Sequence, residues 1–157
     1  MSDFSELYRR YAPEVFRFAL YLTGNRADAE DITSETFVRL WASSEPIRSQ
    51  TVKGYLCTIA RNLFLRGLRQ QSRRVELSED LSDKSAGPQD RTEQKDELEK
   101  VIARLQKLPE IDRAALLMRA LEELPYEEIA LALGISIAAA KVKVHRARLA
   151  LEQWRDS

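Results

Sequence analysis

The stretch from Pro125 to Leu151, PYEEIALALGISIAAAKVKVHRARLAL, constrains the chain more than any other. It contains an apolar-periodic segment, a glycine, and a second segment with four cations and no acid. A helix-turn-helix needs a small residue where its helices cross, a glycine able to take positive φ, and apolar residues early in the second helix. Ala130, Gly134, and Ile137 with Ala140 stand at those spacings, and Ser136 is a natural N-cap for the second helix. At 100° per residue, Ile137, Ala140, Val144, Ala147 and Leu151 share an inner face. Ala139, Val142, Arg146 and Leu149 lie opposite, flanked by Ala138, Lys143 and His145. Such an outer face suits the major groove, with Lys143 and Arg146 toward guanine or phosphate and Ala139 and Val142 toward thymine methyls.

The rest of the chain reads as helical too. There are five glycines and five prolines in 157 residues, and no alternating apolar run long enough for a strand. Phe4, Leu7, Tyr8, Tyr11, Val15, Phe18, Ala19 and Leu22 form a first stripe ended by Gly24. A second carries Ala29, Ile32, Thr36, Phe37 and Leu40. A third, from Thr51 to Arg74, carries Val52, Tyr55, Leu56, Ile59, Ala60, Leu63 and Phe64 and is about 36 Å long. Three such stripes enclose one core. Val75 to Gln89 is polar and acidic, reads as a linker, and spans at most about 50 Å, or about fifteen base pairs. Four short helices follow. The expected fold is all-α, with a three-helix domain over 1–74, a flexible acidic linker over 75–90, and a four-helix domain over 91–157.

Net charge is zero, but it is unevenly placed: +4 over residues 1–74, −5 over 75–100 and +1 over 101–157. Pro46 to Val75 holds Arg48, Lys53, Arg61, Arg66, Arg69, Arg73 and Arg74 with no acid. Two acid-free basic stretches imply two places where phosphates are met. On the third helix, Tyr55 offers a face for an unpaired base and Asn62 an amide for a base edge, a combination that suits DNA being opened. Taken alone, Tyr55 is by default a core residue.

Several classes are disfavoured. One cysteine, Cys57, and one histidine, His145, make neither a disulfide framework nor a metal site. No nucleophile elbow or phosphate loop is present, so neither an enzyme, a cofactor nor a small-molecule substrate is expected. No apolar run reaches the roughly 20 residues of a membrane span, and the first residues are no signal peptide, which points to the cytoplasm. A free-standing repressor would need a dimer helix, and no heptad run offers one.

The segments DAEDITSETFVRLW (Asp28 to Trp41), TVKGYLCTIARNLFLRGLR (Thr51 to Arg69) and LPEIDRAALLMRALEELPYEEIALALGISIAAAKVKVHRARLAL (Leu108 to Leu151) resemble the second and fourth regions of bacterial sigma factors of the extracytoplasmic-function group. The resemblance implies a dissociable subunit that binds core RNA polymerase and directs it to promoter DNA. It implies polymerase contact through Asp31, Glu35, Phe37, Leu40 and Trp41. It implies −10 capture by Arg48, Lys53, Tyr55, Arg61, Asn62 and Arg66. The −35 element falls to Ser136, Ala138, Ala139, Lys141, Val142, Lys143, His145 and Arg146. An anti-sigma partner is also implied. The sequence departs from the family at Ser34, Tyr55, Cys57 and Thr58. Ala139 and Val142 likewise replace hydrogen-bonding residues with apolar ones, which shifts readout toward methyl contacts, phosphates or DNA shape. The alternative is a sigma-like decoy that binds a regulator without directing transcription.

Overall fold

A computed structural model describes residues 3–43, 51–77 and 93–155. Helix α1 spans Asp3–Thr23, α2 Arg26–Ala42 and α3 Val52–Leu77. Then come α4 Glu93–Gln106, α5 Glu110–Leu116, α6 Tyr126–Leu133 and α7 Ile137–Arg155. All described regular structure is helical, as the periodicity implies. Gly24, at φ 72°, ends α1, and the Asn25 side chain accepts from the Asp28 amide to start α2.

The first three stripes meet as expected, with Val15, Phe18, Ala19 and Leu22 of α1 against Ala29 and Phe37 of α2 and Leu56, Cys57 and Ala60 of α3, all buried. Burial on all sides pushes the Cys57 thiol pKa up and leaves it an inert apolar group. Thr33 and Thr36 are buried on α2 at no polar cost, because each hydroxyl donates to the carbonyl four residues back, Ala29 and Ile32.

Helix α3 runs to Leu77, three residues into the stretch whose composition reads as linker. The second helix of the C-terminal half is not a simple helix either. After Leu116 it widens into a π turn over Leu117–Leu121, and Glu123 takes a left-handed φ of 60° before Pro125. The wide turn carries the chain into Glu122, whose carboxylate is buried.

The two halves pack on one another and share one apolar core, running from Phe18, Leu22 and Leu56 to Leu105, Met118, Ile129 and Val144. Polar contacts set the register between them. Arg17 donates to both Glu122 oxygens at 3.1 and 3.4 Å. Arg61 donates to both Glu110 oxygens at 2.7 Å. Lys53 Nζ reaches the Glu122 carbonyl at 3.3 Å, and Gln106 Nε2 donates to the Tyr21 carbonyl at 3.0 Å. The Arg17 partnership raises that guanidinium's pKa, chiefly through the hydrogen bond to Glu122. The Glu122 pKa is raised too, because burial outweighs Arg17's attraction.

Gly54 marks the tightest approach. A Cβ there would run into the Glu128 carboxylate, which is buried and accepts a bond from Thr51 Oγ1 at 3.2 Å. Enclosed in this way, Glu128 cannot swing aside without giving up that bond. Gly54→Ala is therefore expected to loosen the seam even though alanine favours α3 by up to about 1 kcal/mol. Small-angle scattering should show a larger radius of gyration, and an unchanged radius with an unchanged melting temperature would refute the contact.

A second expectation concerns pH. A carboxylate whose folded pKa is raised binds its proton more readily when folded, so its contribution to stability is lost as pH rises from the unfolded pKa through the folded one. Glu122→Gln should remove that part of the pH dependence. Chemical denaturation of both proteins across the acid range checks it, and parallel curves would overturn the assignment.

Candidate nucleic-acid and polymerase interfaces

The helix-turn-helix is built as its residues imply. Gly134 sits at φ 68°, the Ile135 amide donates to Ala130 O at 3.0 Å and the Gly134 amide to Leu131 O at 3.4 Å, a Schellman ending that only glycine allows without strain. The Ala139 amide donates to Ser136 Oγ at 3.0 Å. Ser136 thus serves as the N-cap of α7.

Ala140, Val144 and Ala147 of α7 are buried, as the inner face requires. Ile137 is not: at 43% exposure it overhangs the turn. The outward stripe is Ala138, Val142, His145 and Leu149, with Lys141 and Arg148 on one flank and Arg146 on the other. Ala139 is half-buried and lies off its centre. Lys141 Nζ stands 5.7 Å from the Tyr126 ring, whose face also meets Arg119 at 4.5 Å.

Asp112, on the first turn of α5, is a residue that sequence reasoning missed. Its buried carboxylate lies 3.8 Å from Lys143 Nζ and 4.0 Å from Arg146 Nε. The Lys143 side chain is only 21% exposed and Arg146 62%, so Arg146 can reach outward and Lys143 is largely held inside. An acid at the start of a helix reads as a dipole partner, and only the packing of α5 on α7 brings it to these cations.

Helix α3 divides its functional residues between two faces. Tyr55, Asn62, Arg66, Arg69 and Arg73 fall within about 60° of one another around the axis. Tyr55 is half-buried and the other four are exposed. Lys53 and Arg61 are turned about 170° and 110° from the midline of that ridge. They face the other half, where Lys53 meets the Glu122 carbonyl and Arg61 is clamped by Glu110, and Lys53 also lies 3.4 Å from Glu14 of α1. Arg48 falls outside the described residues.

On α2, Asp31 and Glu35 are exposed, and Glu35 pairs with Arg39 of its own helix at 3.4 Å. Phe37 is 2% exposed and belongs to the core, edge-on to Phe4 and Tyr8. Leu40 is half-buried. Trp41 is 65% exposed, its ring 4.7 Å from Phe4. Phe4, Tyr8, Ser34, Val38 and Trp41, floored by Phe37, form an open apolar cleft between α1 and α2. Phe4 and Tyr8 were read from sequence only as members of the core stripe of α1, and Val38 was not singled out. Val38 and Trp41, apolar on the polar side of α2, were the available signal.

Among the described residues all regular structure is helical, and a capped, basic helix-turn-helix near the C-terminal end marks a DNA-binding protein, with a long basic helix, α3, in its N-terminal half. Residues 7–74 match the family described as Sigma-70 region 2 and residues 98–151 the one described as Sigma-70, region 4. The chain is 36% identical to the ECF RNA polymerase sigma factor SigE of Mycolicibacterium smegmatis, with 99% of this chain and 62% of the relative covered. It is 32% identical to SigM of Bacillus subtilis, covering 94% of this chain and 91% of that one. Among solved structures, the sigma factor RpoE of Bartonella quintana, crystallised with the anti-sigma factor NepR, superposes with a TM-score of 0.84 at 27% identity over 98% of this chain and 96% of that one. The chain belongs to the ECF RNA polymerase sigma factors, which are non-enzymatic and direct transcription initiation with RNA polymerase. No described helix is long and apolar enough to cross a membrane.

Asp112→Asn keeps the shape of the acid and removes its charge, leaving Lys143 and Arg146 without their counter-ion. The variant is expected to bind mixed-sequence duplex DNA several-fold more tightly at low salt, since more positive charge then faces the phosphates. Fluorescence anisotropy checks this, and equal or weaker binding would count against the role given to Asp112.

Proposed function

We propose that this chain holds core RNA polymerase through α2 and reads a promoter at two sites, one on α3 and one on α7. The observation that carries the reading is the pair of outward basic faces, each lying in the segment that matches a different sigma region. In this reading Asp31, Glu35, Leu40 and Trp41 meet the polymerase, with Phe37 supporting them from the core. Tyr55, Asn62 and Arg66, together with Arg48, take the −10 element. Ala138, Lys141, Val142, His145 and Arg146 take the −35 element, with Ser136 and Ala139 fixing the start of the helix and Lys143 its flank. The stripe through Ala138 and Val142 is apolar, so methyl contacts and phosphates carry more of this readout than hydrogen bonds do. Arg61 joins promoter DNA only when the two halves part, because Glu110 holds it in this arrangement, while Lys53 is held both by the Glu122 carbonyl across the seam and by Glu14 of its own half.

The activity belongs in the cytoplasm, beside polymerase and chromosome. An anti-sigma protein is the expected inhibitor, as NepR is the partner in the RpoE structure, and the apolar cleft beside Trp41 is a surface for it to cover.

Run-off transcription with core polymerase tests the whole reading. A promoter-dependent transcript is expected, and binding to a regulator with no transcript from any promoter would favour a decoy. Arg146→Ala should weaken use of the upstream element with core binding nearly unchanged. Equal loss of both would separate Arg146 from DNA. Asp31→Arg with Glu35→Arg should abolish binding to core polymerase, and unaltered affinity would remove α2 from that role.

A further inference from the structure

One carboxylate at the seam stands between two arginines. Glu110 opens α5 and accepts with both its oxygens from Arg61 of α3, at 2.7 Å each. Arg113 lies three residues further along α5, the spacing at which side chains on a helix are neighbours and opposite charges pair. In this arrangement that pair is not made. Among the described residues no carboxylate forms an ion pair with Arg113. Its Nη1 donates only to neutral acceptors, Gln106 Oε1 at 3.1 Å and the Leu105 carbonyl at 3.5 Å, and its Nε has no hydrogen-bond partner.

Arg113 is also 6% exposed. A cation taken out of water without a counter-ion is costly to the state that buries it. Burial holds the guanidinium's pKa below its ordinary value, and the nearby charge of Glu110 offsets only part of that. The other half supplies part of the cover: the ring of Phe64 on α3 lies 6.0 Å from the guanidinium. Phe64 stands one turn beyond Arg61, so the helix that takes Glu110 away from Arg113 also encloses Arg113. Gln106 joins the same seam, since its Nε2 donates to the Tyr21 carbonyl at 3.0 Å while its Oε1 accepts from Arg113.

We propose that Glu110 is a partner-exchange switch between the halves: on Arg61 it holds the chain closed, and when Arg61 departs it pairs with Arg113 and stabilises the open chain. Each state satisfies one arginine at the expense of the other. Closed, Arg61 is paired while Arg113 is buried with neutral acceptors alone. Open, Arg113 gains Glu110 and water, and Arg61 is released. The closed state is thereby kept short of the stability its apolar core would give it, so that a binding event can open it. That the released Arg61 meets promoter DNA rests on the function proposed above. The exchange itself does not.

The test is a double-mutant cycle read by single-molecule energy transfer on the full chain, with neither polymerase nor DNA present. Dyes are attached at Ala27→Cys on α2 and Gln153→Cys on α7, both exposed positions, while Cys57 is buried and stays unlabelled. Urea below the unfolding transition brings open and closed populations into range. Glu110→Gln should raise the open-to-closed ratio several-fold by weakening the clamp on Arg61. Arg113→Met removes the charge and leaves an apolar side chain against Phe64, and should lower the ratio several-fold. In the Glu110→Gln background the same change should act less strongly by about twofold, the contribution of an ion pair at this spacing on a helix.

Additive effects of the two substitutions overturn the exchange, because contacts that do not share a partner add. A ratio that Arg113→Met leaves unchanged or raises overturns it as well. Should the methionine variant lose the parental circular dichroism, Arg113→Gln takes its place, neutral but able to donate to the Leu105 carbonyl, and the same outcomes decide. Failure of the chain to direct any transcript would remove the sigma reading and leave this measurement standing.

Discussion

The architecture rests on the seam between the two halves, where α1 serves both. Phe18 and Leu22, fully buried on α1, belong to an apolar cluster that extends from α3 into α4, the π turn and α7. Burying a side chain of this size contributes about 1.5–3 kcal/mol, so the cohesion is apolar. The ion pairs across the seam do something else. A buried pair recovers little net energy after desolvation, but leaving one partner alone is costly. Arg17 with Glu122, and Arg61 with Glu110, therefore penalise any other register between the halves more than they stabilise this one. Gly54 lets the backbone of α3 come close enough for Glu128 to sit against it.

That seam divides the cations of α3. Seen only as a charge run, Lys53, Arg61, Arg66, Arg69 and Arg73 are equivalent. Folded, Lys53 is neutralised by Glu14 of α1 and bonds the Glu122 carbonyl, Arg61 is neutralised by Glu110 of the other half, and the last three are left to solvent. The same division appears on α7, where Asp112 draws in Lys143 and leaves Lys141 and Arg148 outward. In both helices an acid from a neighbouring element decides which basic residues stay exposed.

This is also where the sequence stopped being legible. The stripes of α1 to α3 and the turn at Gly134 could be read because period, glycine and cap are local signals. The buried Glu122 could not, since its partner Arg17 lies 105 residues away and nothing near Glu122 signals burial. Glu110, Asp112 and Glu128 each sit in the first turn of a helix, where acids are expected for the dipole alone. The π turn had no glycine or proline to announce it. Phe37 was readable both as core and as contact surface, and its 2% exposure makes it core, with Trp41 at the surface. Of the candidate site, Ala138, Val142, His145 and Arg146 on α7 and Asn62 and Arg66 on α3 were legible because amphipathic periodicity predicts what is left outside, whereas Ala139 and Lys143 are half-buried and Ile137, read as inner, is exposed. Lys53 and Arg61 were not, because what covers them is another part of the fold.

The division of charge bears on how such a chain first meets DNA. In the packed arrangement the groups that remain exposed, Arg66 to Arg74 on α3 and Lys141, Arg146 and Arg148 on α7, suit phosphates. Phosphate contacts form without reading sequence and hold a protein near the duplex while base contacts are sought. Tyr55 is half-buried, and Lys53 and Arg61 are held by the opposite half. In the proposed reading, duplex phosphates are within reach of the closed chain, whereas Arg61 reaches DNA only once the seam opens. In that reading, a fold that spends its inner cations on its own acceptors separates holding DNA from reading it, by placing the two sets of basic residues on different faces of one helix.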